Sequence, residues 1–521
     1  MIKEIQISLL PKQIFMEEEL LKAVSLLLKL DQKRINHIEI LKRSIDARRI
    51  PVKYQIKALA YIDEDFKQVV NTISYQNVEK SKDFVVIIGS GPAGLFAALQ
   101  ALELGVKPIV FERGKDVRTR RKDLARINKE GVVNSESNYC YGEGGAGTYS
   151  DGKLYTRSKK RGNVKRVLEA LVYHGADKNI LVDAHPHIGT NKLPQLIASI
   201  REQIISCGGE IHFDSKMTDI VIEEGKVKGI VINENQNVSC EKLILATGHS
   251  ARDIYFLLDK KGVKQEYKSF AMGLRVEHSQ ILIDKIQYKC TDDRGEYLPP
   301  ASYSLVEQTG DRGVYSFCMC PGGVIAPCAT SEGEVVTNGW SPSKRNNPFS
   351  NSGIVTEVRW DDISDFHDYG ALAGVYFQKS IEQKCWEMAG QGQKVPAQRM
   401  VDFVEGVKSV DLPKTSYYPG ITSVQLSDVL PQFVTKALRE GFKAFKIKMK
   451  DYYTNEAVLH AVESRTSSPV RIPRDKESFE HIAVKGLYPI GEGAGYAGGI
   501  VSAAIDGQRC IEAIVNGNVL D

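Results

Sequence analysis

The pattern of apolar and polar positions changes character several times along the chain. Residues Ile2–Leu9 alternate like a half-buried strand, Met16–Leu30 repeats its apolar positions at helical spacing, and Ile38–Ile45 and Val52–Tyr61 alternate again. These predict a small βαββ unit. Asp63–Lys82 is polar without clear period and reads as a linker. Phe84–Ile88 is then an unbroken apolar run bounded by glycine, as in a parallel strand buried on both faces. The loop Gly89-Ser90-Gly91-Pro92-Ala93-Gly94 follows, then an apolar helix from about Ala93 to Leu104 closed by Gly105, then a second strand, Pro108–Phe111, ending in Glu112.

Further on, helices are predicted over Asp116–Lys129, Val164–His174 and Lys192–Cys207. Glu210–Phe213, Met217–Glu223 and Lys226–Ile232 read as an antiparallel insertion that delivers the chain to the strand Lys242–Leu245 and to Ala246-Thr247-Gly248. Roughly Lys268–Asn455 is rich in Gly, Pro and Ser loops and short strands, with helical patterns at Ala371–Ala389 and Pro431–Phe442. Leu487–Ile490 is a last strand, running through Gly491-Glu492-Gly493-Ala494-Gly495 and Gly498-Gly499-Ile500 into a helix from about Val501 to Val515. The divisions that follow are 1–75, 83–267 with 456–521, and 268–455.

The segment from Phe84 to Glu112 is a complete dinucleotide-binding fingerprint. Gly89 permits the tight turn, Gly91 lets backbone approach a pyrophosphate, and Gly94 lets helix and strand sit close. Pro92 and Ala93 open the helix, whose N-terminal N–H groups favour negative charge. Glu112, with Arg113 after it, lies about 20 residues on, where a carboxylate can accept from an adenosine ribose. A second glycine stretch, Tyr141–Leu154, includes Gly145, Gly147 and Thr148; so many small residues let backbone come close to something flat or charged. The third, Gly491–Ile500, again makes an anion site between strand and helix. A nicotinamide dehydrogenase needs only its local nucleotide unit, whereas an extended FAD is held at both ends, so a glycine loop at each end of the chain favours FAD.

At 521 residues, 42% hydrophobic and 26% charged, the chain has the composition of a globular protein of two or three domains. A net charge of +4 implies no nucleic-acid partner by itself. The βαββ unit is mildly basic, with twelve Lys/Arg against seven Asp/Glu over residues 1–60 and a KRSIDARR cluster at residues 42–49, which reads as a solvated strand edge. No run reaches the ~18 apolar residues of a membrane span, and the N-terminus lacks the apolar core of a signal peptide. Nine scattered cysteines without CxxC indicate neither zinc nor a thioredoxin-type dithiol, and fit a reducing cytoplasm.

GSGPAG, GEGGAGTYSDGKLYTR, ATGHSARD, YSFCMCPGG, VTNGWSPSKR, SRTSSPVRI and GEGAGYAGGI together resemble, across essentially the whole chain, a bacterial family of FAD-dependent dehydrogenases in the glutathione-reductase-like, two-dinucleotide-binding superfamily. The resemblance implies an α/β fold: a FAD-binding Rossmann domain, an inserted α+β substrate or cap domain, and the small N-terminal βαββ (ferredoxin-like) domain. It implies non-covalent FAD, with Met217, Thr247, Gly248, Gly499 and Ile500 beside it, and a redox reaction, without naming the substrate. Such families usually carry Gly-Asp in the last loop; here Gly491-Glu492 stands in its place.

The enzyme expected is one that passes hydride between FAD and a small organic substrate, with NAD(P)H as a candidate external donor and a protein electron partner as another. Arg252, Arg275, Arg465 and Arg471 are candidates to bind a carboxylate, Arg465 foremost. His249 directly follows the Ala-Thr-Gly turn and is the second catalytic candidate. The alternatives are a flavin-dependent RNA-modifying or RNA-binding protein, against which stands the lack of paired exposed aromatics in the basic unit, and a non-catalytic FAD sensor. Cys318 and Cys320, if on a regular strand, share one face at about twice the 3.3 Å rise, a poor geometry for a disulfide. They are expected to line or back the substrate pocket, with Pro321-Gly322-Gly323 supplying its backbone contacts.

Overall fold

The computed structural model describes residues 1–67, 73–156 and 162–517. Residues 68–72 of the expected linker and Arg157, the end of the second glycine motif, lie outside the described residues. Phe84–Ile88 is the centre of a five-stranded parallel sheet, flanked by Leu243–Leu245 and Lys107–Phe111, with Leu487–Pro489 and Glu210–His212 at the edges. The helix Pro92–Glu103 is buried from Ala93 through Leu102, which is why its sequence is apolar on every side. The helix Ile500–Gly517 lies directly against it.

Glu210–His212 departs from the expected antiparallel insertion. The helix Leu193–Ser206 supplies the crossover a parallel strand needs, and the strand joins Lys107–Phe111. The insertion itself is Met217–Glu223, Lys226–Ile232 and Gln236–Ser239.

The second body is a seven-stranded sheet in the spatial order 306–309, 312–320, 349–358, 270–279, 458–463, 395–399, 421–423. Val458–Glu463 pairs on both sides within this sheet, so the boundary placed at 456 from sequence assigns one of its interior strands to the wrong body; six consecutive buried residues without alternation gave no sign of which sheet they join. The chain passes between the two bodies at Glu266–Tyr267 and Val470–Arg471, which pair with each other.

The N-terminal unit forms a three-stranded antiparallel sheet, Ile2–Leu9, Lys53–Ile62, Ile35–Asp46 in spatial order, beside the helix Glu17–Leu28. It is fastened to both bodies. Arg43 N–H donates to the Val182 carbonyl at 2.8 Å and Ala184 N–H to the Arg43 carbonyl at 2.9 Å. Val52 belongs to the core of the second body, and the Tyr54 hydroxyl donates to the Tyr297 carbonyl at 3.0 Å. Within the basic cluster, Arg43 pairs with Asp183 at 2.7 Å and Arg48 with Asp46 at 2.6 Å. Among the described residues no helix is long and apolar enough to cross a membrane, and no group of three His, Cys, Asp or Glu is placed to hold a metal.

The two helices beside the central strand meet with almost no room. A Cβ on Gly507 would lie 2.1 Å from the Ala93 carbonyl oxygen. Gly507→Ala is therefore expected to push the last helix off its neighbour and to destabilise the protein by about 1–3 kcal/mol, read as a lower midpoint in urea unfolding. An unchanged midpoint would show that the helices separate freely.

Candidate functional site

The three glycines of the first loop do different work. Gly89 has φ of 102° and a Cβ there would meet the Ala246 carbonyl at 2.8 Å, while a Cβ on Gly94 would lie 1.9 Å from the Gly89 carbonyl. Both are packing positions. A Cβ on Gly91 would meet nothing within 4 Å, although Gly91 lines a cavity. Gly91 also precedes the helix Pro92–Glu103 at an end that no side chain caps. The first free N–H groups of the helix are thus left for an anion.

The other two glycine loops close over this one. Gly145 comes within 3.2 Å of Gly91 Cα, measured from its Cβ position, and Gly147 within 3.3 Å of the Pro92 ring and 3.5 Å of Ile500. Gly491 sits against Ala93, and a Cβ on Gly493 would lie 1.8 Å from the Thr247 carbonyl oxygen. Gly248, Gly498 and Gly499 face open space within 4 Å, and all three line the same cavity of about 420 Å³, a size within the usual range of small-molecule sites. Open glycines, an uncapped helix terminus and a cavity walled by loops from both ends of the chain fit a dinucleotide with its pyrophosphate at Gly91–Ala93.

Gly89, Gly91, Pro92, Ala93, Glu112, Arg113, Gly145, Gly147, Met217, Thr247, Gly248, His249, Arg465, Glu492, Gly499 and Ile500 all line that cavity. Gly94, Thr148 and Gly491 are not among its walls. Thr148 is fully buried and its hydroxyl donates to the Glu143 carbonyl at 2.7 Å, so it shapes the second loop from behind. Glu112 also departs from expectation. Its Oε2 accepts from Ser90 N–H and Ser90 Oγ, both at 2.9 Å, and its Oε1 from Gly114 N–H at 2.9 Å and Gly142 N–H at 3.0 Å. Four donors fill a carboxylate. Glu112 therefore clips the first two glycine loops together and has no acceptor site left for a ribose.

Arg113 is held by Asp253 at 3.0 Å and Glu136 at 2.9 Å, over the Tyr141 ring. His249 is gripped on both nitrogens, Nε2 at 3.1 Å from the Arg465 carbonyl and Nδ1 at 3.3 Å from Glu492 Oε2. Burial alone would raise the Glu492 carboxyl; His249, the Gly499 N–H and Lys268 outweigh it and hold it below its ordinary value. The longer acid of the Gly-Glu pair is thus pinned by this histidine, which serves as a positioning residue.

Arg465 is a correction. Its guanidinium reaches Glu382 at 2.8 and 3.1 Å, Glu334 at 3.1 Å and Thr330 at 2.8 Å, so four of its five N–H donors and its charge are committed within the protein. Arg252 engages the same Glu382 at 2.8 and 2.9 Å. Arg275 is fully buried on Glu463 at 2.7 and 3.0 Å. Arg471 is exposed, over the Tyr496 ring. The Pro321-Gly322-Gly323 turn is also committed internally, Gly322 N–H to Gln280 at 2.6 Å and Gly323 N–H to the Phe349 carbonyl at 2.9 Å.

Sequence reasoning missed Lys153 and Asn338, which line the cavity from the first and second bodies. Lys153 stood in the second glycine stretch, where a lone cation after a Ser-Asp-Gly turn was the available signal. Asn338 carried none.

Two family models cover most of the chain: one described as pyridine nucleotide-disulphide oxidoreductase over residues 83–272, and one described as FAD-dependent protein, C-terminal domain-like, over residues 269–466. A third, over residues 1–61, is described only as a domain of unknown function. An uncharacterized protein of Clostridium beijerinckii is 40% identical over 507 residues, 94% of each chain. The chain belongs to this family of FAD-dependent oxidoreductases. FAD is its cofactor. A thiamine thiazole synthase of Aeropyrum pernix is 23% identical over 260 residues, 50% of this chain and 77% of that one. Among solved structures, CtdE in complex with FAD and substrate 4 matches with 12% identity over 84% of this chain and 85% of that one at a TM-score of 0.33. An oxidoreductase from Methanosarcina mazei matches at 11%, over 83% and 100%, also at a TM-score of 0.33.

Two expectations follow from the site. Gly91→Val should fold, because its side chain enters open space, yet retain under a tenth of the wild-type FAD, since a branched side chain stands where phosphate would approach; FAD content after gel filtration checks this. Full FAD content would remove Gly91 from the site.

Glu382 is fully buried, and Glu382→Gln is expected to destabilise the protein by about 3–5 kcal/mol, because Arg252 and Arg465 are then left with the Glu334 carboxylate alone between them. Burial would raise its carboxyl, but Arg252 and Arg465 bring it down to about 2. A depressed folded value means that this stabilisation is complete above the unfolded carboxyl, near ~4.3, and fades as pH falls toward about 2. Glu334, raised by burial and by Glu382, works in the opposite sense and offsets part of the loss. Urea midpoints of wild type and Glu382→Gln should converge across that window; parallel curves would contradict the assignment.

Proposed function

We propose that this FAD-dependent oxidoreductase transfers hydride between FAD and a small organic substrate admitted from the side of the second body. The observation that carries this is the composition of the cavity wall. Glycine loops and Thr247–Ser250 of the nucleotide-binding body form one side, and Phe317, Cys318 and Thr337–Gly339 form the other. Bound FAD supplies a carrier that takes up or gives two electrons as hydride. The chain's part is to seat the pyrophosphate at Gly91–Ala93, fix Glu492 through His249, and present polar side chains of the second body to a substrate.

The donors offered there are Lys153 and Asn338. A second electron partner, NADH or NADPH, belongs to this reading as an external reactant. In the basic cluster that motivates the RNA-binding alternative, Arg43 is paired with Asp183 and Arg48 with Asp46.

Purified protein is expected to be yellow and to release FAD, and no FMN, on denaturation. Anaerobic addition of NADH or NADPH should bleach the flavin, and a substrate of the right class should restore its colour without oxygen. A colourless protein that cannot be reconstituted would remove the flavin site. A flavin that no organic compound reduces or reoxidises would leave FAD but overturn the hydride-transfer reading.

A further inference from the structure

The strand Arg312–Cys320 reaches the cavity through an irregularity. Its pairing with Phe349–Val358 shifts register between Phe317 and Cys320, and Cys318 takes φ of 48°, a left-handed conformation unusual for a residue with a side chain. The regular alternation expected for the pair is therefore broken. Cys318 lines the cavity and Cys320 is fully buried behind it. All nine cysteines are free.

Lys153 comes from the opposite wall. Its Nζ is 3.9 Å from the sulfur of Cys318 and 3.9 Å from that of Cys320, and it donates to the Met319 carbonyl. The Cys320 thiol has two acceptors in reach, the Cys318 carbonyl at 3.3 Å and the Cys318 sulfur. Arg275 Nη1 lies 3.5 Å from the Cys318 carbonyl. Two carboxylates face the same group: Glu463, occupied by Arg275 at 2.7 Å, and Asp151, occupied by Arg345 at 2.5 Å. The hydrogen bond from Cys320 holds the Cys318 thiol well below its ordinary value, with Lys153 and Arg275 adding to it against burial and Asp151. Cys320 is pushed the other way, chiefly because its proton bonds Cys318. Of the two sulfurs, the one whose ionised form these groups favour is the one on the cavity.

Hydrogen-bond donors without protein partners stand nearby. Thr337, on the same wall, is 1% exposed and its hydroxyl has no partner among the described residues. Asn338 accepts at Oδ1 from Gly339 N–H at 2.7 Å and from Arg275 at 3.4 Å, which fixes the amide and leaves Nδ2 with no acceptor among the described residues. A buried hydroxyl and an amide left without partners beside the Cys318 sulfur call for a ligand oxygen.

We propose that Cys318 is a nucleophile that captures the carbonyl carbon of a small aldehyde, with Lys153 as the proton donor and Asn338 Nδ2 bonding the oxygen. The sulfur lone pair forms the S–C bond, the carbonyl π pair moves onto oxygen, and a proton from the Lys153 ammonium completes a hemithioacetal. Reversal restores thiolate, ammonium and aldehyde, so no oxidant is consumed. The proposal rests on the hydride-transfer reading and names its substrate class: the captured carbon keeps the hydrogen that such a transfer removes.

The test is alkylation of the full FAD-loaded chain by limiting iodoacetamide at about pH 6.5, roughly two units below the ordinary thiol value, mapped by peptide mass spectrometry. Cys318 is expected to label roughly tenfold faster than any other cysteine, to slow about fivefold in Lys153→Gln as its thiolate is lost, and to be protected by a simple aliphatic aldehyde. Protection is read on wild type, so it stands if the lysine variant misfolds. Uniform labelling, or no protection, overturns the proposal. Labelling of Cys318 only after dithiothreitol would also overturn it, by showing a disulfide with Cys320. Anaerobic bleaching of the flavin in the same samples by NADH or NADPH separates the two failures: a flavin that is not bleached defeats the hydride-transfer reading, whereas a bleached flavin with an inert Cys318 defeats this inference alone.

Discussion

The structure depends on backbone brought against backbone around one helix. Gly94 lets Pro92–Glu103 start directly over the Gly89 carbonyl, Gly507 lets the last helix approach Ala93, and Gly493 lets the last loop approach Thr247. A side chain at any of the three would collide with a carbonyl oxygen. That tolerance is what brings residues near 90, 145, 247 and 495 to the same cavity, and Glu112, which accepts from Ser90 of the first loop and Gly142 of the second, fixes those two relative to each other.

A second constraint ties the two bodies together. Glu382 of the second body takes Arg252 and Arg465, which flank the two passages of chain between the bodies. A buried carboxylate between two guanidinium groups is weak as a source of net stability, but it fixes geometry, because breaking it leaves charge stranded away from water. His249 extends this connection to the flavin side, bonding the Arg465 carbonyl with one nitrogen and Glu492 with the other.

Sequence and structure part company at identifiable places. Phe84–Glu112 was legible because a buried parallel strand, a glycine turn and an apolar helix each have a pattern of their own, and short-range order fixes their contacts. The α/β fold and FAD followed from it and from the distant glycine loop. What could not be read was the partner of a charge. Arg465 looked like a free anion-binding group, yet Glu382 lies 83 residues away in sequence. Glu112 looked like a ribose acceptor because its spacing was right, while Gly142, which occupies it, has no marker. Val458–Glu463, buried on both faces, carries no alternation to say which sheet it enters. The break in alternation at Cys318 is likewise a property of pairing register and not of the residues themselves.

The central claim is that loops from both ends of the chain and from its middle close on one FAD. Hydrogen–deuterium exchange of the protein stripped of flavin, before and after FAD is restored, tests it most directly. The account predicts slowed exchange in four separated stretches together, around Gly91–Gly94, Gly145–Lys153, Thr247–Ser250 and Glu492–Ile500. Protection confined to the first stretch and Glu112, with the other three unchanged, would contradict it.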